Sequence, residues 1–156
     1  MTVWHDRPQV SAAYLNPALV SATLATAAIA YRSERHRPMA WPLSFIVGPM
    51  VLHRSTRLAL PRSTTTHLAT WLSRNAVLHA GFAARAKEAA PTIKEGLRFG
   101  LRQGVLTLEA GALIGSIGRA RNPELRELLT SARLVGRWLA KIDQPSTIFA
   151  ILGVEP

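Results

Sequence analysis

GVLTLEAGALIGSI, residues 104–117, is the stretch where the sequence changes period, and its reading decides the fold. Gly104 is suited to the left-handed residue that closes a helix, and Val105-Leu106-Thr107-Leu108 reads as a short strand. Glu109-Ala110-Gly111 supplies a turn, and Ala112-Leu113-Ile114 with Gly115-Ser116-Ile117 a return strand. Three short helical segments precede this hairpin. The first carries Leu68, Trp71 and Leu72 on one face, with Thr65 or Thr66 as its cap. The second runs from Ala76 to Ala90 behind Asn75, with Val77, Leu78, Phe82 and Ala86 inward, and Pro91 opens the third through Ile93, Leu97, Phe99 and Leu101. Short helices followed at once by a small hairpin follow the order of a winged helix-turn-helix, so residues 64–118 are expected to be a winged-helix-like part with the hairpin as wing.

The flanks are helical. Asn16-Pro17 is a helix start, an N-cap amide followed by proline in the first turn, and helical spacing continues to the charged close Arg32 to Arg37 before Pro38. Pro42 to Leu52 is apolar all round, hence buried, with Gly48-Pro49 expected to kink or split it; Leu58-Ala59-Leu60 closes a helical part spanning 16–60. Residues 1–15, with Trp4, Val10, Tyr14 and Leu15, read as an N-terminal arm. Asn122-Pro123 repeats the start signal for an amphipathic helix to Lys141, with Leu125, Leu128, Leu129, Ala132, Val135, Trp138 and Leu139 on its apolar face. Pro145 to Leu152, ending at Gly153, completes C-terminal helices over 122–153. The expectation is one mainly α domain over 1–156, winged-helix-like, with one short β-hairpin wing.

Composition narrows the chemistry. Hydrophobic residues make up 48% and charged residues 18%, a globular balance. With no cysteine, disulfides, Cys-rich zinc sites and thiol catalysis are excluded. Pro8 to Tyr31 is uncharged, but Asn16, Pro17, Gln9 and its alanine bias argue against a span, and Asp6 with Asn16-Pro17 argues against a secretory signal. A cytoplasmic protein without a membrane segment is expected.

Nothing in the pattern assembles a catalyst. Glu88 and Glu95 straddle Pro91, while Glu124 and Glu127 sit in a first helical turn, where the helix dipole accounts for them. His5, His36, His53, His67 and His79 lack metal-ligand spacing, and Gly111, Gly115 and Gly118 lack the Lys-Ser or Lys-Thr of a phosphate loop. No enzyme activity, cofactor or metal is expected. What stands out is charge: 16 Arg and 3 Lys against 9 acids, net +10. Arginine favours bidentate phosphate or carboxylate contacts, although GC-rich coding produces the same bias. Candidate contacts to DNA or a protein partner are Arg54, Arg57 and Arg62 around a helix end, and Arg98 and Arg102 four apart on one helical face. Arg119 and Arg121 follow the hairpin, and Arg137 stands beside Trp138. These arginines equally fit a solvated basic face or one that meets an acidic protein.

Several local patterns occur in a particular order: Asn16-Pro17-Ala18; Pro42-Leu43 leading to Pro49-Met50-Val51-Leu52-His53; Leu60-Pro61 and the threonines after it; Phe82; the Gly100 to Leu106 junction; Gly136-Arg137-Trp138; and Thr147 to Val154. In these the chain resembles the middle component of bacterial three-component ABC-ATPase conflict systems, to which Lamassu-type antiphage defence is related. The resemblance implies a small winged-helix-type adaptor that bridges an SMC/Rad50-like ABC ATPase and an effector subunit in antiviral defence. DNA would be met through the complex. The alternative is a free-standing winged-helix DNA-binding regulator. Because the turn Glu109-Ala110-Gly111 is short and carries one charge, the expectation shifts from DNA reader toward protein bridge.

Overall fold

The computed structural model describes residues 16–155; the arm expected over 1–15 lies outside them. Asn16 caps the first helix, its Oδ1 accepting the Ala18 amide at 2.8 Å, and Pro17 occupies the first turn. Helix α1 runs Pro17–Arg35 and ends at His36, a left-handed residue (φ 61°) whose amide returns to the Arg32 carbonyl at 2.8 Å. Every residue from Val20 to Ala28 is buried, so α1 is a central helix. Its alanines serve close packing. A Cβ on Gly115 would come within 2.9 Å of the Ala25 Cα, and one on Gly136 within 2.9 Å of the Ala27 Cα. The buried Thr23 and Thr26 hydroxyls donate to the Leu19 and Ala22 carbonyls at 2.9 and 2.8 Å, so neither is left unpaired.

After α1 the chain makes strand β1 (Met39–Ala40), a 3-10 turn (Trp41–Leu43) and α2 (Ser44–Leu52), followed by α3 (Arg54–Leu58). Helices α4 (Leu68–Arg74) and α5 (Ala76–Gln103) lead into strands β2 (Leu106–Glu109) and β3 (Ala112–Gly115); α6 (Pro123–Leu139) and α7 (Pro145–Leu152) close the chain. The architecture is mainly helical with a small antiparallel sheet in the order β1-β3-β2. Leu113 of the middle strand pairs with Met39 on one side and Leu108 on the other. The hairpin turns on Ala110 (φ 49°) and Gly111 (φ 78°), the two positive-φ residues of a type I′ turn. The Trp41 amide donates to the Gly111 carbonyl at 3.0 Å and holds the turn against the 3-10 segment.

Several expectations need correction. Pro91 does not open a new helix: α5 is continuous through it for 28 residues, because Ile93, Gly96 and Gly100 bury along the same face as Phe82 and Ala86. Packing of that face outweighs a propensity penalty of about 3 kcal/mol. Strand β1 lies between two helices of the part expected to be helical, 16–60, where no strand is expected; two residues are too few for alternation to be legible. Glu109 belongs to strand β2, paired with Ala112, and not to the turn. The N-cap of α4 is His67, without a side-chain bond, and not Thr65 or Thr66. Asn75 stands at the head of α5 but its amide donates backward to the Trp71 carbonyl at 2.9 Å. Val77, read as inward, is 87% exposed. The amphipathic C-terminal helix stops at Leu139, two residues early.

Buried residues of α1, α2, α4, α5, the sheet, α6 and α7 join one hydrophobic cluster. Trp71 and Trp138 meet edge to face with centroids 5.3 Å apart. Their indole N–H groups donate to the Ala59 and Thr66 carbonyls at 2.7 and 2.6 Å, so this ring pair holds both ends of the α3–α4 connection.

Candidate functional site

Helices α1 and α6 run in the same direction. Ala27 lies against Gly136, and beyond that contact Lys141 pairs with Glu34 at 2.6 Å and Arg35 with Asp143 at 2.9 Å. The Lys141 hydrogen bond and charge hold the Glu34 carboxyl below its ordinary pKa. These exposed pairs fix register more than they add stability.

Beside the Ala27–Gly136 contact lies a cleft of about 720 Å³. One side is an α1 stripe at helical spacing, Thr26, Ile29, Ala30 and Ser33. Opposite stand Arg126, Leu129, Thr130, Arg133 and Arg137 of α6, again at three- and four-residue intervals. The segment leaving β3, Ile117 to Ala120, closes the end with Arg119. The cleft opens beside the point where the two helices meet at these small residues.

Its electrostatics are one-sided. Among the described residues four guanidinium groups line it and no carboxylate does, and none of the four donates a side-chain hydrogen bond or forms a close ion pair. Glu34 acts on Arg137 through space, but four arginines outnumber that one carboxylate and so raise the local positive potential and draw an anion in. The rim also offers apolar surface, with Ile29 41% and Ile117 37% exposed. Among the described residues none in the lining is a general base or a nucleophile set beside one.

The arginines singled out by the sequence separate into three places. Arg119 and Arg137 both line this cleft, with Arg121 exposed just past it. Arg98 and Arg102 are exposed on the last two turns of α5, outside the lining. Arg54 is exposed at the start of α3 and Arg62 in the connection after it, while the half-buried Arg57 guanidinium donates to the Val51 carbonyl at 2.7 Å, closing the end of α2. Sequence reasoning passed over Arg126 and Arg133. Their spacing with Arg137, seven and then four residues, was visible and marks one flank of α6.

A second polar cluster surrounds His53. Its Nδ1 accepts the Thr56 amide at 3.3 Å and meets the Thr56 hydroxyl at 2.7 Å, capping α3. Burial, then the charges of Arg85 and Arg57, push its pKa down. Arg85 lies over the Phe82 ring at 5.9 Å and donates to the Leu78 carbonyl at 2.6 Å. Among the described residues no three His, Asp or Glu side chains gather in a metal-holding group, and no helix is long and apolar enough to cross a membrane.

Comparison with known proteins adds one finding. The family model described as "ABC-three component (ABC-3C) system Middle Component 3" matches residues 4–156. No curated protein and no solved structure matches the chain.

Proposed function

The chain belongs to the Middle Component 3 family of ABC-three component systems, and from that premise we propose that it is a non-enzymatic adaptor joining an SMC/Rad50-like ABC ATPase to an effector subunit. The observation that carries the reading is the family match over nearly the whole chain, since a middle component is defined by the components on either side of it. The arginine-lined cleft supports it as a surface suited to meet something acidic. On this reading the protein acts in the cytoplasm, in a conflict system related to Lamassu-type antiphage defence, where the ATPase senses invading DNA and the adaptor transmits its state.

A winged-helix origin of the scaffold belongs to the same proposal. It is supported by a helix, a short strand, further helices and a hairpin in that order, with β1 laid against β3. Such a unit would begin at α1 and draw β1 from the part before residue 64. Placed so, α5 is the helix immediately before the wing, and exposed Arg98 and Arg102 on it favour a second reading in which the chain itself touches DNA phosphates.

Expressing the three components together, with a tag on this chain, tests the adaptor. Recovery of ATPase and effector in one particle on size exclusion is the expected result; a chain that elutes alone overturns the reading. The DNA reading predicts salt-dependent duplex binding by the isolated chain that weakens in Arg98→Gln/Arg102→Gln.

A further inference from the structure

The two flanks of the cleft differ in kind: α1 contributes small and aliphatic side chains, α6 contributes guanidinium groups, and the ligand must satisfy both. We propose that the cleft between α1 and α6 is the seat of an acidic peptide segment, with aliphatic side chains between its carboxylates, carried by another component of the system. This inference rests on the adaptor reading and names the chemistry of its partner.

Length sets the segment. Arg126 and Arg137 are eleven residues apart on α6, which at a rise of ~1.5 Å per residue is about 16 Å. That is about five residues of extended chain or three turns of helix. Carboxylates spread over that length meet Arg126, Arg133 and Arg137 in turn, while Arg119 reaches the same occupant from the end of the cleft. Exposed Ile29 and Ile117 then receive the aliphatic side chains. Among the described residues no acidic side chain lines the cleft, the two ion pairs between α1 and the α6 end involve other residues, and Glu34 alone acts on Arg137 through space, so positive charge is in excess there.

The same features disfavour nucleic acid. Single strands bind where bases stack on aromatic rings, and among the described residues no Phe, Tyr, Trp or His lines the cleft. A duplex is read by elements that project into its grooves, whereas this site is a recess between helices. Phosphates would also leave the aliphatic flank of α1 without use.

The test is made on the co-expressed three-component assembly and on the isolated full-length chain. Arg133→Glu/Arg137→Glu is expected to lose one component from the particle, with affinity for it falling at least about tenfold, while Arg133→Lys/Arg137→Lys keeps it. Arg119→Glu, in the segment after β3 and outside any helix, is expected to weaken the same component and separates lost binding from lost folding. A photo-crosslinking side chain at Thr130 is expected to attach to an acidic stretch of the ATPase or effector. An assembly that forms normally with Arg133→Glu/Arg137→Glu and with Arg119→Glu overturns the cleft proposal and leaves the adaptor reading standing; a wild-type chain that recovers neither component overturns both. Tight binding of a fluorescent 20-nucleotide single strand or of a duplex that disappears in Arg133→Glu/Arg137→Glu overturns the peptide in favour of nucleic acid.

Discussion

Gly136 of α6 lies directly against the backbone of Ala27 in α1: a Cβ there would come within 2.9 Å of both the Cα and the carbonyl carbon of Ala27. A side chain can rotate away from such a contact, but a helix backbone cannot. Gly136→Ala therefore gains up to ~1 kcal/mol in helix propensity and loses more by forcing α1 and α6 apart. The expected net loss is about 1–3 kcal/mol, or a melting midpoint lower by ~2–4 °C for each kcal/mol in a chain of this size. Thermal unfolding followed by circular dichroism checks it, and an unchanged midpoint would show that the helices are not in contact there.

Trp138 has two separable roles, ring packing on Trp71 and a hydrogen bond to the Thr66 carbonyl. Trp138→Phe keeps most of the first and removes the second, with an expected cost of about 1–3 kcal/mol. Trp138→Ala removes both and is expected to cost about 3–5 kcal/mol. Limited proteolysis provides an independent readout, with the faster cut expected between Ala59 and Thr66, because that connection loses one of its two indole anchors.

His53 links stability to pH. Its pKa is pushed below the ordinary value near 6.5 by burial and by the charges of Arg85 and Arg57, while its Nδ1 must stay unprotonated to accept the Thr56 amide. The unfolded chain then binds this proton more readily than the folded one, so its contribution is complete above the unfolded pKa and is lost as pH falls below it. Urea midpoints measured from about pH 7.5 to about pH 5.5 are expected to fall. His53→Asn keeps a capping side chain that does not titrate and is expected to flatten the decline; an identical slope in the variant would remove His53 as its cause.

Pro91 sits inside α5 on an exposed face. Pro91→Ala restores an amide to the helix ladder, worth about 3 kcal/mol in an interior position. It also loosens the unfolded chain, which offsets about 1 kcal/mol. The expected outcome is a net gain of about 2 kcal/mol, seen as a raised urea midpoint, with the difference in helical ellipticity small because α5 already runs through residue 91.

Asn122 accepts the Glu124 amide at 2.9 Å at the head of α6. Asn122→Ala is expected to lose about 1 kcal/mol, and Asn122→Asp to retain that stability because an anion also suits the helix start. Equilibrium unfolding of the two variants side by side distinguishes capping from any packing role.

How far the chain was legible depends on the range of the interaction. Asn16 and Asn122 as caps, Gly104 as a left-handed closer, Gly153 as the end of the last helix and a turn containing Ala110 and Gly111 were readable because each is decided by backbone groups within a few residues. Pro91 misled for the same reason: local propensity marks it as a break, and only the burial of Ile93, Gly96 and Gly100 along the face of Phe82 and Ala86 overrides it. Thr65 and Thr66 were plausible caps until the Thr66 carbonyl was committed to Trp138, 72 residues away.

The candidate site divides in the same way. Arg119 and Arg137 could be named as contacts and the excess of arginine counted, since charge and residue type are written in the chain. That Arg119 joins Arg126, Arg133 and Arg137 on one cleft, while Arg98 and Arg102 face elsewhere and Arg57 is occupied by the Val51 carbonyl, follows from how α6 is set on α1. Residue identity alone decides caps, turns and the total of charge, because these act over a few bonds or need no arrangement. Which charges share a space was decided by how α1 and α6 pack at Ala27 and Gly136, a contact between residues 109 positions apart that no local pattern encodes.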